Sequence, residues 1–313
     1  MNDATLQDAA VPADAFGQRG APALLCRDLT LRRGRWKMPV LDRIDLALPE
    51  GAVLGLAGRN GAGKTSLIEC LVSLAVPDHG ECRLLGEPST SLGDAVRDRL
   101  GYVAQTPDLF GWLSGEQHLR RFAAVYSGFS ERRALELALR LSLDLATPAG
   151  RLSLGDQQKL SVVLALAHDP DLLILDEPVA SLDPVSRREF MRSLFERRWR
   201  NQGPRTVLIS SHLLSDLQRV VTHVAFIREG RLQLMDEWDA LAEHIRLLEL
   251  PVGHSALPLQ VLHRCRQGGM ERVLFDARHT DAPPASGRPL SLDDLFVELN
   301  TADGPAREVQ EQP

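Results

Sequence analysis

The stretch "AVLGLAGRNGAGKTS" at residues 52–66 decides the fold of this chain. It opens with a continuous apolar run, which predicts a strand buried on both faces. It then passes through "GRNGAGKT" into the helical spacing of "TSLIECLVSLA" at 65–75. A glycine-rich turn between a buried strand and a helix directs backbone N–H groups and the positive helix end at a phosphate. The stretch therefore predicts a nucleotide-phosphate site, and a chance glycine-rich turn is the weaker interpretation.

The loop matches the pattern G-x-x-x-x-G-K-[ST]. In that pattern Lys64 would neutralise the β- and γ-phosphates, and the Thr65 hydroxyl would ligate Mg²⁺. We therefore expect a nucleotide and Mg²⁺ as the bound groups. The residues expected to contact the nucleotide here are Gly58, Asn60, Gly61, Ala62, Gly63, Lys64, Thr65 and Ser66.

A second element of the site is "LLILDEP" at 172–178. Its apolar run predicts a buried strand with Asp176 at the carboxyl end, where parallel sheets bind ligands. Asp176 is expected to hold Mg²⁺, and Glu177 to polarise the water that attacks the γ-phosphate. A solvated charge is the alternative for Glu177, but adjacent carboxylates at the end of a buried strand favour the chemical role.

Strands and helices alternate along most of the chain, which predicts an α/β fold with a mainly parallel sheet. A long helical stretch at about 107–168 is expected to form a separate lobe, with Ser114 and Gln117 as a capping box. Strands are predicted at 24–31, 44–48, 52–57, after the turn at 77–81, ending near Gln105, and at 172–176, 206–210 and 223–227, with a helix at 183–200.

The ends of the chain differ from its middle. Residues 1–22 and 300–313 have the composition of disordered segments. Residues 236–299 predict a small α+β extension with helices at 237–245 and 291–299 and strands at 245–250 and 271–277. We expect this extension to pack on the rest of the chain or to support dimerisation; ligand sensing is the alternative.

Composition excludes several classes of protein. The 313 residues carry a net charge of −6, which argues against a nucleic-acid partner held by bulk charge. The longest apolar runs, such as "LSVVLALA" at 160–167, are much shorter than the roughly 20 residues that cross a bilayer. The first 22 residues lack the pattern of a signal peptide. We expect a soluble, cytoplasmic chain that would need a partner for any role at a membrane.

Six motifs occur in a fixed order: the loop at 58–65, Gln105 after "GYVA", "LSLGD" at 152–156, "LLILDEP", "SLD" at 181–183 and His212 in "ISSH". This ordered set resembles the nucleotide-binding subunit of ATP-binding cassette (ABC) transporters over residues 23–235. The loop alone would also suit kinases and GTPases. The resemblance implies a P-loop NTPase cassette with a mainly parallel core sheet, an N-terminal antiparallel β part, an inserted helical lobe and a small C-terminal extension.

The resemblance also implies roles for residues that spacing alone does not assign. Gln105 would link Mg²⁺ and water to the helical lobe, so the Mg²⁺ set becomes Thr65, Gln105 and Asp176. His212 would contact the γ-phosphate, and Asp183 would lie at the seam of a dimer. The catalytic set implied is Lys64, Gln105, Glu177 and His212.

The signature stretch "RLSLGDQQKL" at 151–160 departs from the family's usual Leu-Ser-Gly-Gly-Gln. Ser153 and Gly155 are kept, and the resemblance implies that they contact the γ-phosphate held by the opposite subunit. Leu154 and Asp156 replace the first glycine and the glutamine. We interpret the signature as divergent but functional; a helix cap without a nucleotide role is the alternative.

The segment "RRGRWKMPV" at 32–40 also departs from the family, which usually places an aromatic residue here to stack on adenine. Arg33 falls at that position and Trp36 follows it. Trp36 could stack on adenine, as could the Arg33 guanidinium more weakly. A partly exposed loop tryptophan is the alternative.

By this resemblance, the chain would be a cytoplasmic ATPase subunit at the inner membrane. It would dimerise head to tail around two MgATP and drive a separately encoded permease, with an exporter favoured. Phe110 and Trp112 are candidates for the permease contact, or else lobe core. An importer subunit, an ABC ATPase acting on ribosomes or DNA, and an inactive nucleotide sensor are the alternatives. The chain has one motif set and no inserted coiled coil, which disfavours an ATPase acting on ribosomes or DNA. Lys64, Glu177 and His212 are intact, which disfavours an inactive sensor.

Overall fold

The computed structural model describes residues 21–34, 38–180, 182–195, 205–211, 217–252, 260–279 and 287–301. Within these ranges the backbone forms three β-sheets with α-helices packed on them. The strands are β1 (Leu24–Arg33), β2 (Met38–Leu48), β3 (Val53–Ala57), β4 (His79–Leu84), β5 (Glu87–Pro88), β6 (Leu100–Val103), β7 (Leu172–Asp176), β8 (Thr206–Ser211), β9 (His223–Arg228), β10 (Arg231–Glu237), β11 (Ile245–Pro251), β12 (Gln260–Gln267), β13 (Met270–Asp276) and β14 (Arg288–Pro289). The α-helices are α1 (Lys64–Leu71), α2 (Asp94–Arg97), α3 (Gly115–Val125), α4 (Glu131–Arg140), α5 (Leu154–Ala167), α6 (Pro184–Phe195), α7 (Trp238–His244) and α8 (Leu292–Asn300).

The central sheet has the order β10-β9-β3-β8-β7-β6. It is parallel from β9 to β6, and only β10 runs antiparallel, against β9. Strands β3, β7 and β8 are buried along their whole length, as their continuous apolar runs predict. The predicted mainly parallel core sheet is confirmed. Because parallel strands end at one edge of a sheet, β3 and β7 deliver Gly58 and Asp176 to the same place.

The N-terminal strands form a separate antiparallel sheet with the order β2-β1-β4-β5. Helix α1 packs with both sheets in one apolar cluster, which joins Leu67 and Ile68 of α1 to Leu29 of β1 and Leu54 of β3. This packing fixes the helix that follows the phosphate loop. Several predicted boundaries were wrong. Helix α1 ends at Leu71 rather than residue 75, β2 begins at residue 38 rather than 44, and β4 begins at His79, inside the stretch 77–81 predicted as a turn.

The helical lobe consists of α3, α4 and α5, so its helical part is shorter than the predicted 107–168. The predicted capping box is confirmed, since Ser114 Oγ accepts the Gln117 N–H and the Gln117 side chain accepts the Ser114 N–H. A buried ion pair anchors the end of α5, where Arg205 Nη2 lies 2.7 Å from Asp169 Oδ1. Arg133 of α4 lies 3.8 Å from the other oxygen of Asp169. This charge cluster ties the lobe to the start of β8.

The C-terminal strands form a third, antiparallel sheet with the order β12-β13-β11-β14. Its apolar side chains, with those of α8, share one cluster with Phe226 of the central sheet. Arg228 Nη1 also donates to the Leu299 carbonyl over 3.3 Å. The extension therefore packs on the central sheet, which agrees with the expectation that it packs on the rest of the chain. Within the described ranges, no helix combines the length and the apolar character that crossing a membrane requires.

Candidate nucleotide site

The phosphate loop runs from the end of β3 to the start of α1, as its glycines require. A Cβ on Gly58 would lie 2.6 Å from the Ile227 carbonyl oxygen, so only glycine fits. Gly63 has φ 112° and Gly61 has φ 81°, values that L side chains rarely adopt. Helix α1 begins at Lys64, so its first N–H groups open toward the loop. The local geometry suits a bound phosphate.

Lys64 crosses this loop and connects it to the end of β7. Its side chain is 6% exposed, and Nζ donates to the Gly58 carbonyl over 2.7 Å. The same Nζ lies 3.3 Å from Glu177 Oε1, and Glu177 is 5% exposed. A buried ammonium is thus shared between the loop and the carboxylate that is expected to polarise water. A phosphate taken up by the loop would compete for this ammonium.

Asp176 and Glu177 are held in place by Ser210 of β8. Ser210 Oγ donates to Asp176 Oδ1 over 2.6 Å and accepts the Glu177 N–H over 2.8 Å. Glu177 takes a left-handed backbone with φ 46°, which turns the chain away from the strand. Asp176 is fully buried, and its Oδ2 has no hydrogen-bond partner among the described residues. Because a buried carboxylate oxygen needs a partner, this one fits a Mg²⁺ ligand.

Sequence reasoning missed Ser210. The residue stands in the quoted "ISSH", but its role depends on the parallel register that pairs Asp176 with Ser210. A strand pattern predicts which residues are buried and not which residues of another strand lie opposite them. The sequence did contain a signal, namely a serine at the end of a buried apolar strand. That signal does not by itself identify the serine as a hydrogen-bond partner of Asp176.

The other predicted residues around the phosphates lie at the same edge of the sheet. Gln105 is exposed and follows β6, which pairs with β7 through Val103 and Leu175. Thr65 is half-buried in the first turn of α1. Gln158 of α5 is 2% exposed and donates from Nε2 to the Ala104 carbonyl over 3.3 Å. The signature helix is thereby attached to the residue directly before Gln105.

The signature serine caps its own helix in this structure. Ser153 Oγ accepts the Asp156 N–H over 3.1 Å and donates to Asp156 Oδ2 over 2.7 Å. Burial acts to raise the pKa of Asp156, but hydrogen bonds from Ser153 and Lys159 outweigh it and lower the pKa. The contacts within one chain are therefore those of the helix-cap alternative. The predicted contact of Ser153 and Gly155 with a second copy's nucleotide stays a prediction.

Asp183 caps helix α6. Its Oδ1 accepts the N–H groups of Val185 and Ser186 over 2.9 and 3.0 Å. Hydrogen bonds from the Ser186 side chain and backbone are the main causes that lower the pKa of Asp183 to about 2. The side chain is exposed, as a residue at a dimer seam would be in the single chain.

Comparison with known proteins gives the family. The family model described as ABC transporter matches residues 41–180. The bacitracin transport ATP-binding protein BcrA of Bacillus licheniformis is 30% identical over 297 residues, which cover 87% of this chain and 95% of that protein. The chain belongs to the ABC transporter family. It is an ATP-binding subunit, and ABC subunits of this kind bind and hydrolyse ATP.

Two further likenesses agree with this assignment. The fluoroquinolones export ATP-binding protein of Mycobacterium tuberculosis is 28% identical over 301 residues, which cover 92% of this chain and 96% of that protein. A solved structure of the ATP-binding subunit of an ABC transporter matches with a TM-score of 0.62 and 28% identity, over 69% of this chain and 90% of the other. The predicted cassette fold is confirmed.

Two residues of the expected ABC site, Trp36 and His212, lie outside the described ranges. Their predicted roles, in adenine stacking and in the γ-phosphate contact, stay predictions. Arg33, the other candidate for adenine, is described, and its Nη2 pairs with Glu69 Oε2 of α1. Its guanidinium is thereby held against the helix that follows the phosphate loop.

Proposed function

We propose that this ABC subunit hydrolyses ATP as a head-to-tail dimer and drives a separately encoded permease that exports its cargo. The observation that supports hydrolysis most directly is the buried arrangement of Lys64, Asp176 and Glu177 at one edge of the sheet. A nucleotide sensor without activity would not need a buried glutamate beside the phosphate loop. The intact arrangement therefore favours an active ATPase.

Lys64 and Glu177 have different roles in the proposed hydrolysis. The ammonium of Lys64 leaves Glu177 as the β- and γ-phosphates take its charge, which frees the glutamate for water. Glu177 then accepts a proton from the attacking water as the water oxygen bonds to the γ-phosphorus. The bond from that phosphorus to the β,γ-bridging oxygen breaks, so ATP and water yield ADP and phosphate. Lys64 thus couples phosphate binding to release of the base.

Thr65, Asp176 and Gln105 would hold Mg²⁺ in this site, and Ser210 would orient the Asp176 carboxylate. The ion supplies positive charge to the phosphate oxygens when it is bound. The buried Asp176 Oδ2 is the atom of this structure that fits such a ligand. The residues present are thus consistent with ATP and Mg²⁺ as the bound groups.

A second copy of the chain would complete each site. Ser153, Gly155 and Asp183 would meet the nucleotide held by the partner copy, and His212 would contact the γ-phosphate. In the single chain, Ser153 and Asp183 are exposed and Gly155 is half-exposed, so they are available to a partner. ATP would then close the pair and hydrolysis would reopen it.

The permease is expected to bind the helical lobe. Phe110 and Trp112 lie directly before α3 and are 51% and 74% exposed, with ring centroids 5.3 Å apart. Such an exposed aromatic pair suits a protein contact better than lobe core. This subunit would then lie at the cytoplasmic face of the inner membrane, without a nucleic-acid partner. The export named in the fluoroquinolone relative supports an exporter, and an importer subunit is the alternative.

Co-purification from membranes tests the permease. The tagged full-length chain is extracted in mild detergent, beside a Phe110→Ser/Trp112→Ser variant and a Val297→Ser control, which changes another exposed apolar residue. We expect a multi-helix membrane protein without its own phosphate loop to accompany the wild type and the control. The double variant should lose that protein and retain its ATPase activity. Ribosomal or DNA-associated proteins in place of a membrane partner would refute the proposal.

A further inference from the structure

The N-terminus of α5 holds three side chains whose mutual contacts the proposed function leaves unexplained. Ser153 Oγ donates to Asp156 Oδ2 over 2.7 Å. Lys159 Nζ donates to the other oxygen, Oδ1, over 3.0 Å, and its side chain is 11% exposed. The Asp156 carboxylate therefore binds the serine hydroxyl on one side and an ammonium on the other.

The hydroxyl of Ser153 has a single proton to donate. Phosphate oxygens act as acceptors, so a serine that binds the γ-phosphate of a partner copy must donate to it. In this chain the proton is already given to a carboxylate, which is a stronger acceptor than the glutamine amide usual at this position. Contact with the phosphate therefore requires that the bond to Asp156 breaks first.

The negative charge of Asp156 also opposes contact between Ser153 and the phosphate. Its side chain is 34% exposed at the helix end that would receive the phosphate. A carboxylate there offsets the positive end of the α5 dipole and repels the incoming phosphate. Lys159 partly neutralises that charge, and Asp183 adds a further negative charge close enough to act on Asp156.

We propose that Asp156 is a positioning residue that restrains ATP-driven dimerisation. It holds the Ser153 hydroxyl until the γ-phosphate of the partner copy replaces it as acceptor, and Lys159 weakens that hold by drawing the carboxylate toward itself. This inference rests on the proposed function, because it assigns Ser153 to the nucleotide of the partner copy. It explains why the substituted signature position carries a carboxylate paired with a mostly buried lysine.

The chain contains a matched control for the simple helix-cap role. At the start of α8, Ser291 Oγ donates to Asp294 Oδ2 over 2.9 Å and accepts the Asp294 N–H over 3.1 Å. This is a similar serine–aspartate cap in the C-terminal extension, in which Asp294 also accepts the Ser291 N–H over 3.3 Å and lies 3.7 Å from Arg288. Asp294→Asn therefore removes the charge of such a cap without touching the signature.

Dimerisation is measured by sedimentation velocity over a range of MgATP concentrations, in a full-length Glu177→Gln background that slows hydrolysis. We expect Asp156→Asn to lower the MgATP concentration for half-dimerisation by about fivefold, the effect of one charge at a helix end. Lys159→Met should raise it by about as much, and this increase should disappear in the Asp156→Asn/Lys159→Met double variant. Asp294→Asn should leave the concentration unchanged while lowering the melting temperature as much as Asp156→Asn does.

Two outcomes separate this inference from the function on which it rests. If the parent protein dimerises with MgATP and Asp156→Asn requires the same or more ATP, Asp156 is only a cap and the inference is wrong. If the parent does not dimerise at saturating MgATP, or if Ser153→Arg dimerises as well as the parent, the proposed shared site itself is wrong.

Discussion

Substitution of Ser210 by alanine tests whether this residue holds the two catalytic carboxylates. The change removes the donor to Asp176 Oδ1 at 2.6 Å and the acceptor of the Glu177 N–H at 2.8 Å, both fully inside the protein. A hydrogen bond to a buried charge contributes about 1.5–3 kcal/mol, and an unsatisfied buried N–H costs about 1–3 kcal/mol. Water that enters the small space left by the hydroxyl would recover part of this loss. We therefore expect the free energy of unfolding to fall by about 3 kcal/mol.

Urea unfolding followed by circular dichroism, without nucleotide, measures this difference. Ser89→Ala is the control, because Ser89 is 1% exposed and its hydroxyl has no hydrogen-bond partner among the described residues. This control should not lower stability, because it removes a buried hydroxyl that makes no hydrogen bond. Equal losses for the two variants would refute the claim that the Ser210 hydroxyl supports Asp176 and Glu177. Turnover at saturating MgATP should fall for Ser210→Ala alone, since its carboxylates are no longer oriented.

Three further predictions concern Glu177, His168 and Trp36. Glu177→Gln should lower ATP turnover by at least about 100-fold while MgATP still binds, as phosphate release and equilibrium binding would show; turnover within about tenfold of wild type would exclude Glu177 as the base. Burial lowers the pKa of His168 in the folded chain. On acidification this histidine therefore takes up its proton more readily in the unfolded chain, and the free energy of unfolding falls as pH drops from about 6.5 through the lowered pKa. His168→Phe, which keeps the stack on Tyr126, should make the urea midpoint less dependent on pH between about 7 and 5, and an unchanged dependence would contradict this assignment. Finally, ATP should change the tryptophan fluorescence of Trp112→Phe but not of Trp36→Phe; a change that persists in Trp36→Phe would come from another tryptophan and would contradict stacking by Trp36.

The sequence predicted the parts of the fold that depend on one segment at a time. The apolar run 172–176 became β7, and the run 206–210 became β8 with one further residue, because a strand buried on both faces needs no partner to be recognised. The phosphate loop was predictable for a similar reason, since Gly61 and Gly63 take positive φ values that the turn itself requires. Motif order then supplied the family.

Features that depend on pairing between segments were not predictable in the same way. Strand β12 carries charged residues at the edge of its sheet and was missed. The two-residue turn Gly268–Gly269 between β12 and β13 was a signal that could have identified this hairpin. Strand β2 was predicted too short. It extends back through Pro39, because β2 is an edge strand and proline is tolerated there.

The hydrogen bond from Gln158 to the Ala104 carbonyl has a consequence for communication between two copies. It attaches the helix that begins after Ser153 to the segment that carries Gln105. In the proposed dimer, Gln105 contacts Mg²⁺ and water at the nucleotide of its own subunit, whereas Ser153 binds the nucleotide of the partner subunit. A displacement of Gln105 at one nucleotide would thus move a ligand of the second, and the two ATP molecules would not be hydrolysed independently.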